Sequence, residues 1–162
     1  MNKPGEAQVI QVPNTLRLKV GGRFGGIDPS AIAKAEAALK DLSGQFDAWL
    51  NDEIVKVDAA RAAIKAEGYT EATAEGLYLR AHDLKGLGTT YGFPIVTRIA
   101  ASLCKLIDDG AIRMKAPLFL IDAHLDAVKA AIRDDIRDED HPVGRALAET
   151  LETRVKDHLA SL

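Results

Sequence analysis

The segment that begins at His82 combines three residue types that suit phosphoryl chemistry. An imidazole is largely uncharged near neutral pH, and its free ring nitrogen is a nucleophile that can attack a phosphoryl group. Lys85 follows one helical turn later, where its ammonium can offset the charge of a group attached to the ring. Gly86 places no side chain beside the histidine. The spacing therefore predicts a phosphoryl-accepting histidine with a positive charge and open space next to it.

The apolar residues around this histidine indicate that it faces solvent. On a helix that turns about 100° per residue, His82 lies nearly opposite Tyr91 and about 160° from Leu84. Both of these residues belong to the apolar stripe of the same helix. The outer-face residues that we expect to contact a partner protein are Glu75, Tyr78 and Thr89.

Two glycines follow His82 within one turn of each other, and each disfavours the helix by about 1 kcal/mol relative to alanine. Gly88 falls on the apolar stripe, where close approach of a second helix explains a missing side chain. Gly86 falls on the outer face, where packing explains nothing. We therefore interpret Gly86 as leaving room for a partner protein to approach the imidazole of His82.

A long helix is expected to start at Asp28-Pro29, because aspartate caps helix N-termini and proline fits the first helical position. Its apolar residues keep helical spacing to about Glu67, and Gly68 is a suitable stop. The pattern fits one continuous helix or two helices that break near Ser43-Gly44.

Four more helices are expected downstream, and all the connections between them are short. The second helix should end near Tyr91 and the third near Gly110. The residues near which these helices begin are Thr70, Pro94, Pro117 and Pro142. Short links make neighbouring helices antiparallel. The pattern predicts an all-α chain over 28–162, with an antiparallel four-helix bundle and one or two additional helices, the last at about 142–160.

Residues 1–27 are rich in glycine and proline and predict an irregular or disordered arm. The arm carries one acid, Glu6, and four basic residues: Lys3, Arg17, Lys19 and Arg23. A solvated tail is the favoured interpretation, and a basic arm that touches a membrane or an acidic partner is the alternative.

The composition excludes several classes of function. A net charge of −3 over 162 residues gives no electrostatic case for nucleic-acid binding. No run reaches the roughly 18 apolar residues of a membrane span, and the start of the chain has no secretory core. Cys104, the single cysteine, cannot form an intramolecular disulfide, and its helical context predicts a buried residue. We expect a cytoplasmic, monomeric protein.

The motif His82-Asp83-Leu84-Lys85-Gly86, followed by Tyr91-Gly92, resembles the signature of histidine phosphotransfer (Hpt) domains. That signature is a histidine, any residue, an apolar residue, lysine or arginine, and glycine, with an apolar-glycine pair at the helix end. The next helix is similar to the one that follows in the family through Ala100, Leu103 and Leu106. The resemblance covers roughly residues 45–137, and it implies an antiparallel four-helix bundle.

By this resemblance His82 is the phospho-acceptor, Lys85 stabilises the phosphoryl group and Gly86 gives access. The implied function is a phosphorelay intermediate that takes a phosphoryl group from the aspartyl phosphate of a response-regulator receiver domain and passes it to another receiver. The chain would hold no ATP site and no cofactor, would not be an enzyme on its own, and would use Mg²⁺ bound by the receiver. A hybrid histidine kinase is a further candidate partner.

Two other functions stay open at this stage. A helical adaptor would bind signalling proteins without carrying phosphate, and a chemotaxis-type module would accept phosphate from a separate kinase domain. A metal-dependent phosphohydrolase is disfavoured, because no histidine precedes His82 to supply the first ligand. The acidic run at 134–140 fits no calcium loop, so no metal site is expected. The remaining histidines, expected at the surface or at an edge, are His124, His141 and His158, with His141-Pro142 starting the last helix.

Overall fold

The computed structural model describes residues 28–162, which fold into helices joined by short connections. The helices are α1 (Pro29–Glu67), α2 (Glu71–Leu87), α3 (Pro94–Ile107), α4 (Gly110–Arg113), α5 (Leu118–Arg133) and α6 (Pro142–Ala160). No strand occurs in this part of the chain, so the expected all-α class is confirmed. The antiparallel four-helix arrangement stays a prediction. The irregular or basic arm expected at 1–27 lies outside the described residues.

The chain divides into two units after Ala38, so residues 28–38 and 39–162 are described separately. The described part of the first unit, from residue 28 to its end, is the beginning of α1. The Asp28 carboxylate accepts a hydrogen bond from the Ser30 backbone N–H at 2.9 Å, so the predicted cap is present.

The helix ends agree with the sequence at most points. Helix α1 continues through Ser43-Gly44 as one helix, and it is followed by Gly68 with a φ of +87°, a value that suits glycine. Helix α2 ends at Leu87, four residues before the expected Tyr91. It stops because the Phe93 N–H donates to the Gly88 carbonyl at 2.8 Å and closes a turn.

The short helix α4 was not expected, because four residues are too few to show a periodic pattern. The sequence predicts that the third helix ends near Gly110, but α3 ends at Ile107. Asp109 then caps α4, and its carboxylate accepts a hydrogen bond from the Ala111 N–H at 2.8 Å. The chain therefore turns sharply between α3 and α4, next to the surface of α2.

Helix α3 lies at the centre of the second unit. Nine of its 14 residues are buried, and it packs against α2, α5 and α6. Helix α1 adds Leu50 and Val57, which are 0% and 1% exposed. Burial of each large aliphatic side chain stabilises the fold by roughly 1.5–3 kcal/mol. Cys104 is 5% exposed within this core, as expected.

His124 is not at the surface, so the sequence prediction for this residue was wrong. The ring is 0% exposed, and Nδ1 lies 2.7 Å from the Leu120 carbonyl oxygen. Nδ1–H therefore donates to that carbonyl, and Nε2 accepts a hydrogen bond from the Ser102 hydroxyl at 3.1 Å. With both nitrogens satisfied, the neutral ring fits the apolar stripe of α5. Burial lowers the pKa of His124.

The other two histidines lie where the sequence places them. His141 is exposed at the start of α6, where its Nδ1 accepts a hydrogen bond from the Gly144 N–H at 3.5 Å. His158 is half-buried near the end of the same helix. No helix among residues 28–162 combines the length and the apolarity that crossing a bilayer requires.

Candidate functional site

His82 is exposed on α2, and the helix that carries it is fixed firmly. At the N-terminus, Thr70 and Thr73 form a capping box in which each hydroxyl accepts from the backbone N–H of the other residue. The opposite face of α2 is buried in the core through Leu77 and Leu84, which are 0% and 1% exposed. The imidazole therefore stands on a rigid support and faces outward, as the helical spacing predicts.

Lys85 is exposed on the same face, one turn after His82. No carboxylate among residues 28–162 lies within 4.0 Å of its ammonium. The neighbouring charges on the helix do pair, because Arg80 contacts Asp83 at 3.0 Å. The ammonium of Lys85 is thus available to an anion bound at His82.

The two glycines have opposite surroundings. A Cβ added to Gly86 would meet no heavy atom within 4 Å in the described part of the structure, its own helical neighbourhood aside. A Cβ added to Gly88 would lie 2.7 Å from both the backbone nitrogen and the hydroxyl oxygen of Thr97. Gly88 therefore permits close approach of α3, while Gly86 leaves open space beside the imidazole.

Tyr78 lies one turn before His82, and the centroids of the two rings are 6.1 Å apart. Its hydroxyl donates to the Asp108 carboxylate at 2.7 Å, and this hydrogen bond raises the pKa of the tyrosine. The guanidinium carbon of Arg113 lies 4.6 Å from the Tyr78 ring centroid. Tyr78 therefore links the histidine to the connection between α3 and α4.

The other two expected partner contacts are farther from the imidazole. Glu75 forms an ion pair with Arg113, at the end of α2 away from Gly86. Thr89 lies past the end of α2, and its hydroxyl donates to the Thr97 hydroxyl at 3.0 Å. The structure thus brings Tyr78 and His82 together and leaves Glu75 and Thr89 at the edges of this face.

Three residues near the site were not identified from the sequence. Asp108 and Arg113 come from outside the motif, and only the Asp108-Asp109-Gly110 turn signal could have placed them near α2. Leu79, three residues before His82, is an apolar side chain that is 46% exposed. An exposed leucine on the face that carries the histidine could have been found from the helical spacing alone.

Residues 28–162 hold no cluster of three or more histidine, cysteine, aspartate or glutamate side chains placed to bind a metal ion.

Comparisons with models of protein families, with curated proteins and with solved structures found no significant match to this chain.

Proposed function

We propose that this chain is a phosphorelay intermediate that carries a phosphoryl group on His82. The observation that supports this most is an exposed imidazole on a rigid helix, with the ammonium of Lys85 unpaired among the described residues and with open space at Gly86. A surface histidine retained for solubility needs neither neighbour. The glycine in particular weakens the helix, so a role in access accounts for it better than a role in folding.

The chemistry is a displacement at phosphorus. The lone pair of an imidazole nitrogen attacks the phosphorus of an aspartyl phosphate on a receiver domain. An N–P bond forms, the acyl P–O bond breaks, and the aspartate leaves as a carboxylate. The proton on the other ring nitrogen is released to solvent. Lys85 offsets negative charge on the transferring group, while the receiver supplies Mg²⁺ and the rest of the pocket.

The proposed partners are receiver domains of response regulators, with a hybrid histidine kinase as the source of phosphate upstream. The receiver would cover the face around His82, including Tyr78 and Leu79, with Glu75 and Thr89 at its edges. Because the receiver must bring its aspartyl phosphate against the imidazole, it needs the clearance that Gly86 provides. The proposal places the protein in the cytoplasm, acting as a monomer and without a nucleotide site of its own.

An omission experiment separates this proposal from the two alternatives. The chain is incubated with labelled ATP, a histidine kinase and receiver domains from the source organism, each left out in turn. A relay intermediate gains label only when a receiver is present, whereas a chemotaxis-type module gains label from the kinase alone. An adaptor binds the receiver and gains no label, and that result would refute the proposal. In the complete mixture, His82→Gln should gain no label, whereas His141→Gln, the matched control at another exposed histidine, should be labelled like the wild type.

The access role of Gly86 has its own test with an internal control. Gly86→Leu should slow transfer from a receiver by at least tenfold, because a branched side chain would fill the open space beside the imidazole. Gly76→Leu on the same helix is the control, since a Cβ there also meets nothing within 4 Å among the described residues. Gly76 lies about 120° around the helix from His82. Equal transfer rates in both variants would contradict the access role.

A further inference from the structure

Arg113 is a buried charge whose placement is determined by several contacts. The residue is 7% exposed, and its Nε donates to the Ile107 carbonyl at 2.7 Å. A second nitrogen donates to the Asp108 carbonyl at 3.0 Å, and a third pairs with Glu75. Buried arginines are rare unless their donors are satisfied, as they are here. The guanidinium is therefore held at one position between the end of α3 and the surface of α2.

Tyr78 is held in turn by this arrangement. The guanidinium carbon of Arg113 lies 4.6 Å from the centroid of the tyrosine ring, within cation–π range. The Tyr78 hydroxyl donates to Asp108 at 2.7 Å, so the ring is restrained at its face and at its tip. The next contact of this ring is His82, at 6.1 Å between centroids and with 48° between the ring planes.

Helical side chains lean towards the N-terminus of their helix, so the imidazole of His82 leans over the turn that carries Tyr78. The tyrosine ring borders the imidazole on that side, and the open space at Gly86 lies on the other side. We propose that Tyr78, held by Arg113 and Asp108, is a positioning residue that fixes the His82 imidazole with its reactive nitrogen towards the Gly86 opening. This inference rests on the proposed function.

The size of the effect follows from the number of conformations that the tyrosine removes. On a helix, a histidine side chain has two common staggered wells at χ1, because +60° clashes with the preceding turn, and about two ring orientations at χ2. Confinement to one of these states raises the reactive fraction by up to about fourfold. Loss of the tyrosine ring should therefore slow phosphorylation of His82 by about twofold to fourfold, with no change in charge on the face.

A purely structural role makes a different prediction. If Arg113 only caps the last carbonyls of α3, and Tyr78 only covers apolar surface, then their loss lowers the free energy of unfolding and leaves the imidazole unaffected. The two roles are separated by measurements on the histidine ring in folded protein, below the temperature at which any variant begins to unfold.

The experiment uses the full chain and phosphoramidate, a small phosphoryl donor that needs no docking surface. The P–N bond of phosphoramidate breaks, ammonia leaves and an N–P bond forms on His82. Tyr78→Leu should react about twofold to fourfold more slowly than the wild type, and the rate should fall less in Tyr78→Phe, which keeps the ring and loses the Asp108 contact. Arg113→Lys should also react more slowly, since lysine cannot reproduce the planar fork. Phe119→Leu, which removes an exposed aromatic ring on α5, is the matched control and should react like the wild type.

A second readout requires no phosphorylation. Three-bond NMR couplings across the His82 Cα–Cβ bond should indicate a single χ1 rotamer in the wild type and rotamer averaging in Tyr78→Leu. If both proteins show the same averaging and the same reaction rate, the positioning role is overturned. If the couplings differ as expected while His82 takes up no phosphate in any assay, the positioning contact stands and the proposed function falls.

Discussion

The same substitution at Gly86, within α2, and at Gly88, the residue that follows the end of α2, should change stability in opposite directions. Gly86→Ala adds a methyl group where no described heavy atom lies within 4 Å, its helical neighbourhood aside. Gly88→Ala adds one at 2.7 Å from the backbone nitrogen of Thr97. The backbone at Gly88 is helical, with φ of −53° and ψ of −51°, so neither alanine is strained by its own dihedral angles.

The magnitudes follow from three effects. Alanine in place of glycine in a helix interior raises the free energy of unfolding by roughly 0.5–1 kcal/mol, and this is the whole effect expected for Gly86→Ala. At Gly88, overpacking against Thr97 lowers it by about 1–3 kcal/mol. Displacement of Thr97 also weakens the hydrogen bond that its hydroxyl accepts from the Thr89 N–H at 2.8 Å, a loss of about 1 kcal/mol. Gly88→Ala should therefore lower the free energy of unfolding by about 1–3.5 kcal/mol.

Urea unfolding followed by circular dichroism measures both variants under one set of conditions. The slope with denaturant should stay constant, so that a change in midpoint reports stability. If Gly86→Ala destabilises the protein, the open space described at that position is wrong, and the argument that Gly86 is kept for access falls with it. If Gly88→Ala is neutral, α2 and α3 do not approach as closely as the structure shows.

Three other predictions concern the core and its contacts. Burial lowers the pKa of His124, so its contribution to the free energy of unfolding is complete above a pH of about 6.5 and is lost as the pH falls towards the folded pKa. Between pH 7.5 and 5.5 the wild type should lose more stability in urea than His124→Gln, and equal losses would disprove the burial argument. Leu103→Ala, in the centre of α3, should lower the free energy of unfolding by about 2–5 kcal/mol. A decrease below about 1 kcal/mol would show that the core around Leu103 is not tightly packed. Arg98→Met removes the two hydrogen bonds to Glu152, each 2.8 Å long. Because both side chains are partly exposed, it should lower the free energy of unfolding, measured by thermal denaturation, by at most about 1 kcal/mol.

The sequence predicted the helices well where start and stop residues are explicit. Asp28-Pro29, Pro94 and Pro142 each mark the start of a helix, and Gly68 follows the end of α1. These signals work because capping and the geometry of proline and glycine are local effects. The end of α2 was misplaced because Gly88 still has helical dihedral angles, and the chain leaves the helix only through the turn that follows.

Residues that depend on tertiary contacts could not be predicted in the same way. His124 is buried because Ser102, 22 residues earlier, supplies a hydroxyl to its second nitrogen. Arg113 reaches the face of His82 only through the fold of the connection after α3. The outward placement of His82 and Lys85 depends on one helical period, so the sequence was sufficient for both.

The proposed function requires the imidazole of His82 to carry a phosphoryl group received from a receiver domain. In the most direct measurement, the chain is mixed with a receiver domain that has been phosphorylated by acetyl phosphate in the presence of Mg²⁺. The acid-labile phosphate is then located by mass spectrometry of peptides kept at alkaline pH. We expect phosphate on the peptide that contains His82, and none on the same peptide of a correctly folded His82→Gln variant. Phosphate on another residue, or uptake by that variant equal to the wild type, would contradict the account.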